Sequence, residues 1–462
     1  MYALIKPHPF YGTLRVPASK SHTIRRLLIA SMGKGTSSID YPLDSLDARS
    51  CVSVCRALGA SIEERASAGS ACPNPPNEQG GRLVRWTVTG IAGNLDASIK
   101  PDRPLDVGNS GTTLFLSLAL ASLGKKPVTF TGDSQIARRG ALPLVEALRG
   151  MGVQVKSGAD GCIPITVQGP WQGGRVRLPC PTSQYLSALL LAAPLAPAGG
   201  ITEIEVPLLN EKPYIALTLS YLDAQGIPYE AAPDFSWFRI PGGAAYSPIN
   251  GPVPGDFSSA AFPACAAAVA AQETLPAPGL DVPVPPGELI LLGLDPHDMQ
   301  GDKAFFTMLA RMGCKVRWDR QDANASPASW RLTLARNGPL KGGTFDLNAT
   351  PDLLPVMAVL GAYAQGETRL TNAAHARIKE TDRIAVMAQE LGKLGAAVEE
   401  RPDGLIIQGR NIHGGRVDGR GDHRVVMALA AAALGASGPI EIQGAESAAI
   451  TYPGFLDLLG KR

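Results

Sequence analysis

Apolar residues recur along this chain in two rhythms. Gly12-Thr13-Leu14-Arg15-Val16 alternates and predicts a strand, after which Ile24, Leu27 and Leu28 fall at i, i+3 and i+4, one buried face of a helix. Ser19 and Ser21 are good N-cap residues, so this helix is expected to start within Ser19-Lys20-Ser21. Two stretches, 114–123 and 425–434, are apolar nearly throughout. They are too short to span a bilayer and suit helices buried on all sides.

A longer rhythm overlies these. Arg56-Ala57-Leu58-Gly59-Ala60-Ser61-Ile62 has counterparts ending in Gly152-Val153-Gln154-Val155, Gly226-Ile227, Gly313-Cys314-Lys315-Val316 and Gly395-Ala396-Ala397-Val398. Each reads as an amphipathic helix stopped by a glycine suited to the left-handed C-cap, followed by a short strand. After most copies comes a polar turn and a second strand ending near Gly, as in Leu405-Ile406-Ile407-Gln408-Gly409. The spacing of roughly 80 residues exceeds that of ordinary solenoids and implies small α/β subdomains. Each unit opens with a phrase rich in capping residues ahead of an apolar helix: Ser19-Lys20-Ser21, Gly108-Asn109-Ser110-Gly111-Thr112, Thr182-Ser183-Gln184, Gly255-Asp256-Phe257-Ser258-Ser259, Thr350-Pro351-Asp352 and Gly421-Asp422-His423-Arg424. Any α/β protein contains such caps; a shared module suggests instead that these helix starts converge as an anion trap. The Pro-rich segments 67–81 and 273–288 read as exposed loops.

Composition narrows the classes. The chain has 462 residues, enough for two or more domains, and a net charge of only +2, which gives no footprint for nucleic acid or an acidic membrane. Seven cysteines without a C-x-x-C pair argue against a disulfide framework or zinc site and for a reducing cytosol. The opening Met1-Tyr2-Ala3-Leu4-Ile5-Lys6 has no long apolar core, so no signal peptide is expected. No P-loop and no strand–G-x-G-x-x-G–helix unit is present.

Five stretches carry candidate chemistry. Lys20 and Arg25 place bases at a helix N-terminus, where ordinary design puts acids; a bound anion would compensate, although a solvated basic turn gives the same pattern. His375-Ala376-Arg377-Ile378-Lys379-Glu380-Thr381-Asp382-Arg383 crowds charge at another helix start, capped by Thr381 or Asp382; these are either weak surface ion pairs or anion-binding bases with a proton-transferring Glu380. Arg424 begins an almost wholly apolar helix and Arg138-Arg139 follow Thr131-Gly132-Asp133. Asp352 lies beside apolar Leu353-Leu354, where a raised pKa is expected. Several bases, two carboxylates, no metal cluster and no Ser-His-Asp spacing suit a substrate with more than one anionic group and a reaction needing only acid and base.

The ordered set Ser19-Lys20-Ser21 with Arg25, Gly108-Asn109-Ser110-Gly111-Thr112, Asp133 with Arg139, Ser183-Gln184-Tyr185, Lys212-Pro213-Tyr214, Lys379-Glu380-Thr381-Asp382-Arg383 and Gly421-Asp422-His423-Arg424 resembles the EPSP synthase (3-phosphoshikimate 1-carboxyvinyltransferase) family, from Gly12 to about Phe455. The resemblance implies an α/β (α+β) fold of two similar domains, each of three βαβαββ units with buried parallel helices, of the inverse alpha-beta barrel type. It implies a discontinuous domain of 1–17 plus 255–462, an inserted domain of 18–254, and closure of the two over the substrates. The implied enzyme moves the enolpyruvyl group of phosphoenolpyruvate onto the 5-hydroxyl of shikimate 3-phosphate, releasing phosphate, in chorismate and aromatic amino-acid biosynthesis. Under that resemblance Lys20, Ser21, Arg25, Thr182, Ser183, Gln184, Tyr214, Asp352, His375 and Lys379 meet shikimate 3-phosphate, while Lys20, Gly111, Arg139, Gln184, Arg383 and Arg424 meet phosphoenolpyruvate. Asp352 takes the hydroxyl proton, Glu380 handles the proton at the methylene carbon, and Lys20 reaches both substrates. No cofactor, metal, nucleic acid or membrane is implied, and a cytoplasmic monomer is expected.

The chain departs from the family pattern at Phe115 and Ile450, which stand where the family has Arg and Lys, and at Glu211, which stands for a Ser. Thr182 for Ser and Gly140 for Pro are milder. Two rivals stay open at this point: a silent paralogue that binds a phosphorylated metabolite, and the sister transferase acting on UDP-N-acetylglucosamine, which has Lys-Asn where this chain has Lys20-Ser21.

Overall fold

The computed structural model describes residues 1–67, 82–98, 103–270, 287–320, 330–336 and 338–460. The segments read as exposed loops therefore lie outside the described residues except at their ends, where Ser67 closes the strand Ser61–Ser67 and Glu288 opens Glu288–Leu292. The chain divides into two compact units, Met1–Ser19 with Pro254–Arg462, and Lys20–Val253. Ala18 and Ser19 stay with the first unit, two residues beyond the break drawn from the sequence, because Ala18 bridges Gly255 and the Ser19 N–H donates to the Pro254 carbonyl at 2.8 Å.

Within the 20–253 unit three small sheets repeat one plan. Leu105–Asp106 lies parallel to Val128–Thr131, which pairs antiparallel with Ile165–Gln168, the partner of Gln154–Lys156. The helices Gly111–Ala121 and Leu142–Gly150 fall between these strands in sequence, giving a βαβαββ order. Gly174–Arg177, Ile201–Glu205, Trp237–Pro241 and Glu230–Ala231 repeat it. In the remaining sheet the opening strand comes from the far end of the unit: Asn250–Pro252 pairs parallel with Thr36–Asp40.

The other unit follows the same plan with one exception. Gly12–Arg15 opens the sheet of Glu288–Leu292, Trp330–Arg336 and Cys314–Arg320, and Thr344–Asp346 opens that of Glu367–Thr371, Gly404–Gln408 and Ala397–Arg401. The last sheet has three strands, and Tyr2–Ile5 takes the antiparallel place beside Ile440–Gln443. This last repeat therefore carries no copy of the helix–glycine–strand phrase, which explains why the phrase occurs five times and not six. At each of the five the glycine is left-handed, with φ 110° at Gly59, 85° at Gly152, 65° at Gly226, 104° at Gly313 and 91° at Gly395.

Both apolar runs form helices buried on all sides. Gly111–Ala121 and His423–Ala433 bury all but one and all of their residues respectively. In the first unit Phe257–Val269, Leu354–Tyr363 and His423–Ala433 pack against one another through one hydrophobic core. Side chains start several of these helices as expected: Ser110 Oγ accepts from Thr113 N–H, Asp256 from Ser258 N–H and Asp422 from Arg424 N–H. Among the described residues no helix is long and apolar enough to cross a membrane.

The close approach of Gly409 to the Leu354–Tyr363 helix sets how tightly sheet and helix pack. A Cβ on Gly409 would lie 1.6 Å from the Ala364 carbonyl oxygen, a backbone atom that cannot swing aside. Gly409→Ala is expected to cost about 1–3 kcal/mol, as overpacking does, read as a lower denaturant midpoint with an unchanged m-value.

Candidate functional site

In the 20–253 unit the helix Lys20–Met32 begins at Lys20, so Ser21 lies inside its first turn and is not its cap. Lys20 Nζ sits 2.9 Å from Asp47 Oδ2. One turn on, Arg25 is 2 % exposed. Its guanidinium donates to Thr218 Oγ1 at 3.0 Å, Ser187 Oγ at 3.2 Å and the Ser21 and Tyr214 carbonyls. All of its hydrogen-bond partners among the described residues are thus neutral, and burial lowers its pKa to about 10, opposed by Tyr221 and Tyr214. It remains charged at neutral pH, a buried cation whose environment favours an arriving anion.

The other sequence candidates of this unit cluster at two helix starts. Gln184 Nε2 donates to Thr112 Oγ1 at 3.2 Å, linking the starts of Gln184–Ala192 and Gly111–Ala121. The Arg139 guanidinium lies against Gly111 so closely that a Cβ there would sit 2.6 Å from Nη2 and 2.7 Å from Cζ. Phe115 is 2 % exposed and offers its ring to Arg139, whose Cζ is 6.0 Å from the centroid. Tyr185 packs edge-on against the same ring at 5.1 Å. Composition and spacing gave no signal for this packing. Ser183 makes no side-chain cap bond at the start of its helix. Its hydroxyl and that of Thr182 donate instead to Glu211.

In the other unit Arg383 is the centre of a charged cluster. It begins the helix Arg383–Lys393, which is capped by Asp382 through Ala385 N–H, and it is wholly buried. Nε is 2.8 Å from Asp422 Oδ2, Nη1 is 2.6 Å from Asp352 Oδ1 and Nη2 is 2.6 Å from Glu380 Oε2. Burial alone would lower its pKa; Asp422, Glu380 and Asp352 more than reverse this and raise it well above the ordinary value. The surface-pair reading of Lys379-Glu380-Arg383 thus fails for Arg383. Arg424, mostly buried, places Nη2 2.9 Å from Asp352 Oδ2. Both oxygens of Asp352 thus face a guanidinium, Oδ1 that of Arg383 and Oδ2 that of Arg424. Thr381 hydroxyl donates to Asp422 at 3.1 Å. His375 is buried with its Nε2 3.1 Å from the Asn348 carbonyl, on the turn Ala374–Ile378 that leads into half-buried Lys379.

Asp302 belongs to this neighbourhood and no motif pointed to it. It is fully buried, Oδ1 has no hydrogen-bond partner among the described residues, and Oδ2 accepts from the Ser258 hydroxyl. Burial first, then the charge of Asp352, pushes its pKa up to about 7, with Arg424 opposing. Among the described residues no group of three His, Cys, Asp or Glu side chains is placed to hold a metal ion.

The comparisons with known proteins agree with one another. The family model described as EPSP synthase (3-phosphoshikimate 1-carboxyvinyltransferase) matches residues 4–459. The 3-phosphoshikimate 1-carboxyvinyltransferase of Acetivibrio thermocellus is 42 % identical, over 97 % of this chain and 95 % of its own length. That of Ruminiclostridium cellulolyticum is 41 % identical, over 99 % and 97 %. The solved EPSP synthase from Acinetobacter baumannii superposes with a TM-score of 0.76 at 27 % identity, covering 100 % of this chain and 97 % of that one. With a match that spans both compact units and relatives aligned almost end to end, the chain belongs to the EPSP synthase family.

Proposed function

We infer that this chain carries out the reaction of its family, transferring the enolpyruvyl group of phosphoenolpyruvate to the 5-hydroxyl of shikimate 3-phosphate with release of phosphate. The observation that carries the residue assignment is the Arg383 cluster, where two carboxylates of distant motifs, Asp352 and Glu380, share one buried guanidinium. Asp352, held by Arg383 and Arg424, is the base for the 5-hydroxyl proton. Glu380 handles the proton that the methylene carbon gains and then loses. A tetrahedral adduct forms between these steps, and loss of its phosphate together with a methyl proton gives the enol ether product.

Binding roles follow the charges. Buried Arg25, with Ser21, Thr182, Ser183, Gln184, Tyr214, His375 and Lys379, receives shikimate 3-phosphate. Arg139 against Gly111, with Gln184, Arg383 and Arg424, receives phosphoenolpyruvate, whose carboxylate and phosphate suit guanidinium forks. Lys20 serves both substrates. Arg383 already gives most of its donors to carboxylates, so Arg139 and Arg424 carry more of that binding than Arg383. Each compact unit is a domain, and the enzyme works as a cytoplasmic monomer without cofactor or metal.

Glu380→Gln and Asp352→Asn are each expected to lower kcat by about 10²–10⁴-fold, with KM values changed only a few-fold, in a phosphate-release assay containing both substrates. Normal turnover in either variant removes that proton assignment, and wild-type protein that binds both substrates without turnover marks a silent paralogue. Gly111→Ala pushes a methyl into the Arg139 guanidinium and is expected to raise KM for phosphoenolpyruvate about tenfold, equivalent to about 1.4 kcal/mol, while KM for shikimate 3-phosphate stays near wild type. Between about pH 4 and pH 7 folded Asp302 keeps a proton that the unfolded chain has lost, so its contribution to stability falls as pH rises, by up to about 1.4 kcal/mol per unit. Asp302→Asn removes this dependence; its Tm relative to wild type is expected to be higher near neutral pH than at about pH 4.5.

A further inference from the structure

Glu211 stands where the family pattern has a serine, and its surroundings are those of a bound anion. It is 2 % exposed. One oxygen, Oε2, accepts three hydrogen bonds: from Ser183 N–H at 3.0 Å, Ser183 Oγ at 2.8 Å and Thr182 Oγ1 at 3.1 Å. The backbone at Glu211 is left-handed, φ 58° and ψ 39°, an uncommon conformation for a residue with a Cβ. The carboxylate thus lies at the start of the Gln184–Ala192 helix, where N–H groups and the helix dipole favour negative charge.

A hydroxyl has one proton to give. The protons of Thr182 and Ser183 are both directed at Glu211, and so is the Ser183 N–H. Thr182 Oγ1 also lies 3.5 Å from the Gln184 N–H, on the acceptor side of that hydroxyl. A phosphate approaching these residues would meet hydroxyl lone pairs and a like charge.

We propose that Glu211 is a built-in competitor for the substrate's phosphate: its carboxylate occupies the anion position formed by Thr182 and Ser183, and shikimate 3-phosphate binds only when that carboxylate gives up their donors. The proposal rests on the reading that Thr182 and Ser183 receive the phosphate. Apparent affinity is then the intrinsic affinity scaled by the fraction of molecules with the donors released. Glu211 acts through Thr182 and Ser183, as a residue that sets affinity and not as a participant in proton transfer.

Glu211→Ser and Glu211→Gln test this in the full-length enzyme, after thermal melts establish that each variant is folded. Glu211→Ser is expected to lower the KM and dissociation constant for shikimate 3-phosphate by about tenfold or more, with kcat and the KM for phosphoenolpyruvate within about twofold. Glu211→Gln keeps the shape without the charge and is expected to change affinity in the same direction by less. Shikimate, which has no phosphate, is expected to bind Glu211→Ser and wild type equally. Unchanged or weakened binding of shikimate 3-phosphate by folded Glu211→Ser overturns the proposal, as does an equal gain for shikimate. Adding Ser183→Ala to Glu211→Ser separates the layers. If that loses the gained affinity, the phosphate sits at Ser183; if affinity for shikimate 3-phosphate is indifferent to Ser183 in both backgrounds, the underlying reading falls and the proposal with it.

Discussion

Removing the acid from a buried ion pair costs about 3–5 kcal/mol because it leaves an uncompensated charge, and the Arg383 cluster is built on that constraint. Asp352 comes from the turn Pro351–Leu353, Glu380 from the residues just before Arg383, and Asp422 from the cap of His423–Ala433. Three segments distant in sequence are thereby tied to one planar group whose N–H directions are fixed. Asp422 has two duties, since it also caps its own helix through Arg424 N–H. The helix that carries Arg424 is thus set by the same carboxylate that holds Arg383, and Arg424 in turn reaches Asp352. Net charge nearly cancels within the cluster, which permits so many ionised groups away from water.

The 20–253 unit solves a different problem. Arg25 is buried among hydroxyls and carbonyls, with no acid among its hydrogen-bond partners in the described structure, whereas Glu211 is a buried acid that collects hydroxyl and amide donors. A cation with neutral partners and an anion in a nest of donors leave this site responsive to added charge, where the Arg383 cluster is nearly balanced within itself. Arg139 is intermediate: its guanidinium rests on the bare backbone of Gly111 and on the Phe115 ring.

How much of this could be read in the chain divides by range. The helix–glycine–strand phrase was legible because a left-handed C-cap is a local demand, met at Gly59, Gly152, Gly226, Gly313 and Gly395 alike. Buried helices were legible at 114–123 and 425–434 because no polar face is present to be exposed. The charged motifs announced themselves by crowding at helix starts and by their joint resemblance to one family. What escaped was partnership. Asp422 looked like one cap among six, and Asp302 lay in none of the motifs; both matter through neighbours tens of residues away. Glu211 was visible as a departure, but its hold on Thr182 and Ser183 spans 28 residues or more, and nothing local encodes it.

The pairing of Tyr2–Ile5 with Ile440–Gln443 has a kinetic consequence. Gly12–Arg15 likewise waits for Glu288–Leu292 before its ladder can form. On a ribosome the continuous 20–253 unit can close as soon as it emerges, with the first nineteen residues left hanging outside it as unpaired strand edges. Such edges are where nascent chains stick to one another. The discontinuous unit is therefore the later and more aggregation-exposed half of assembly.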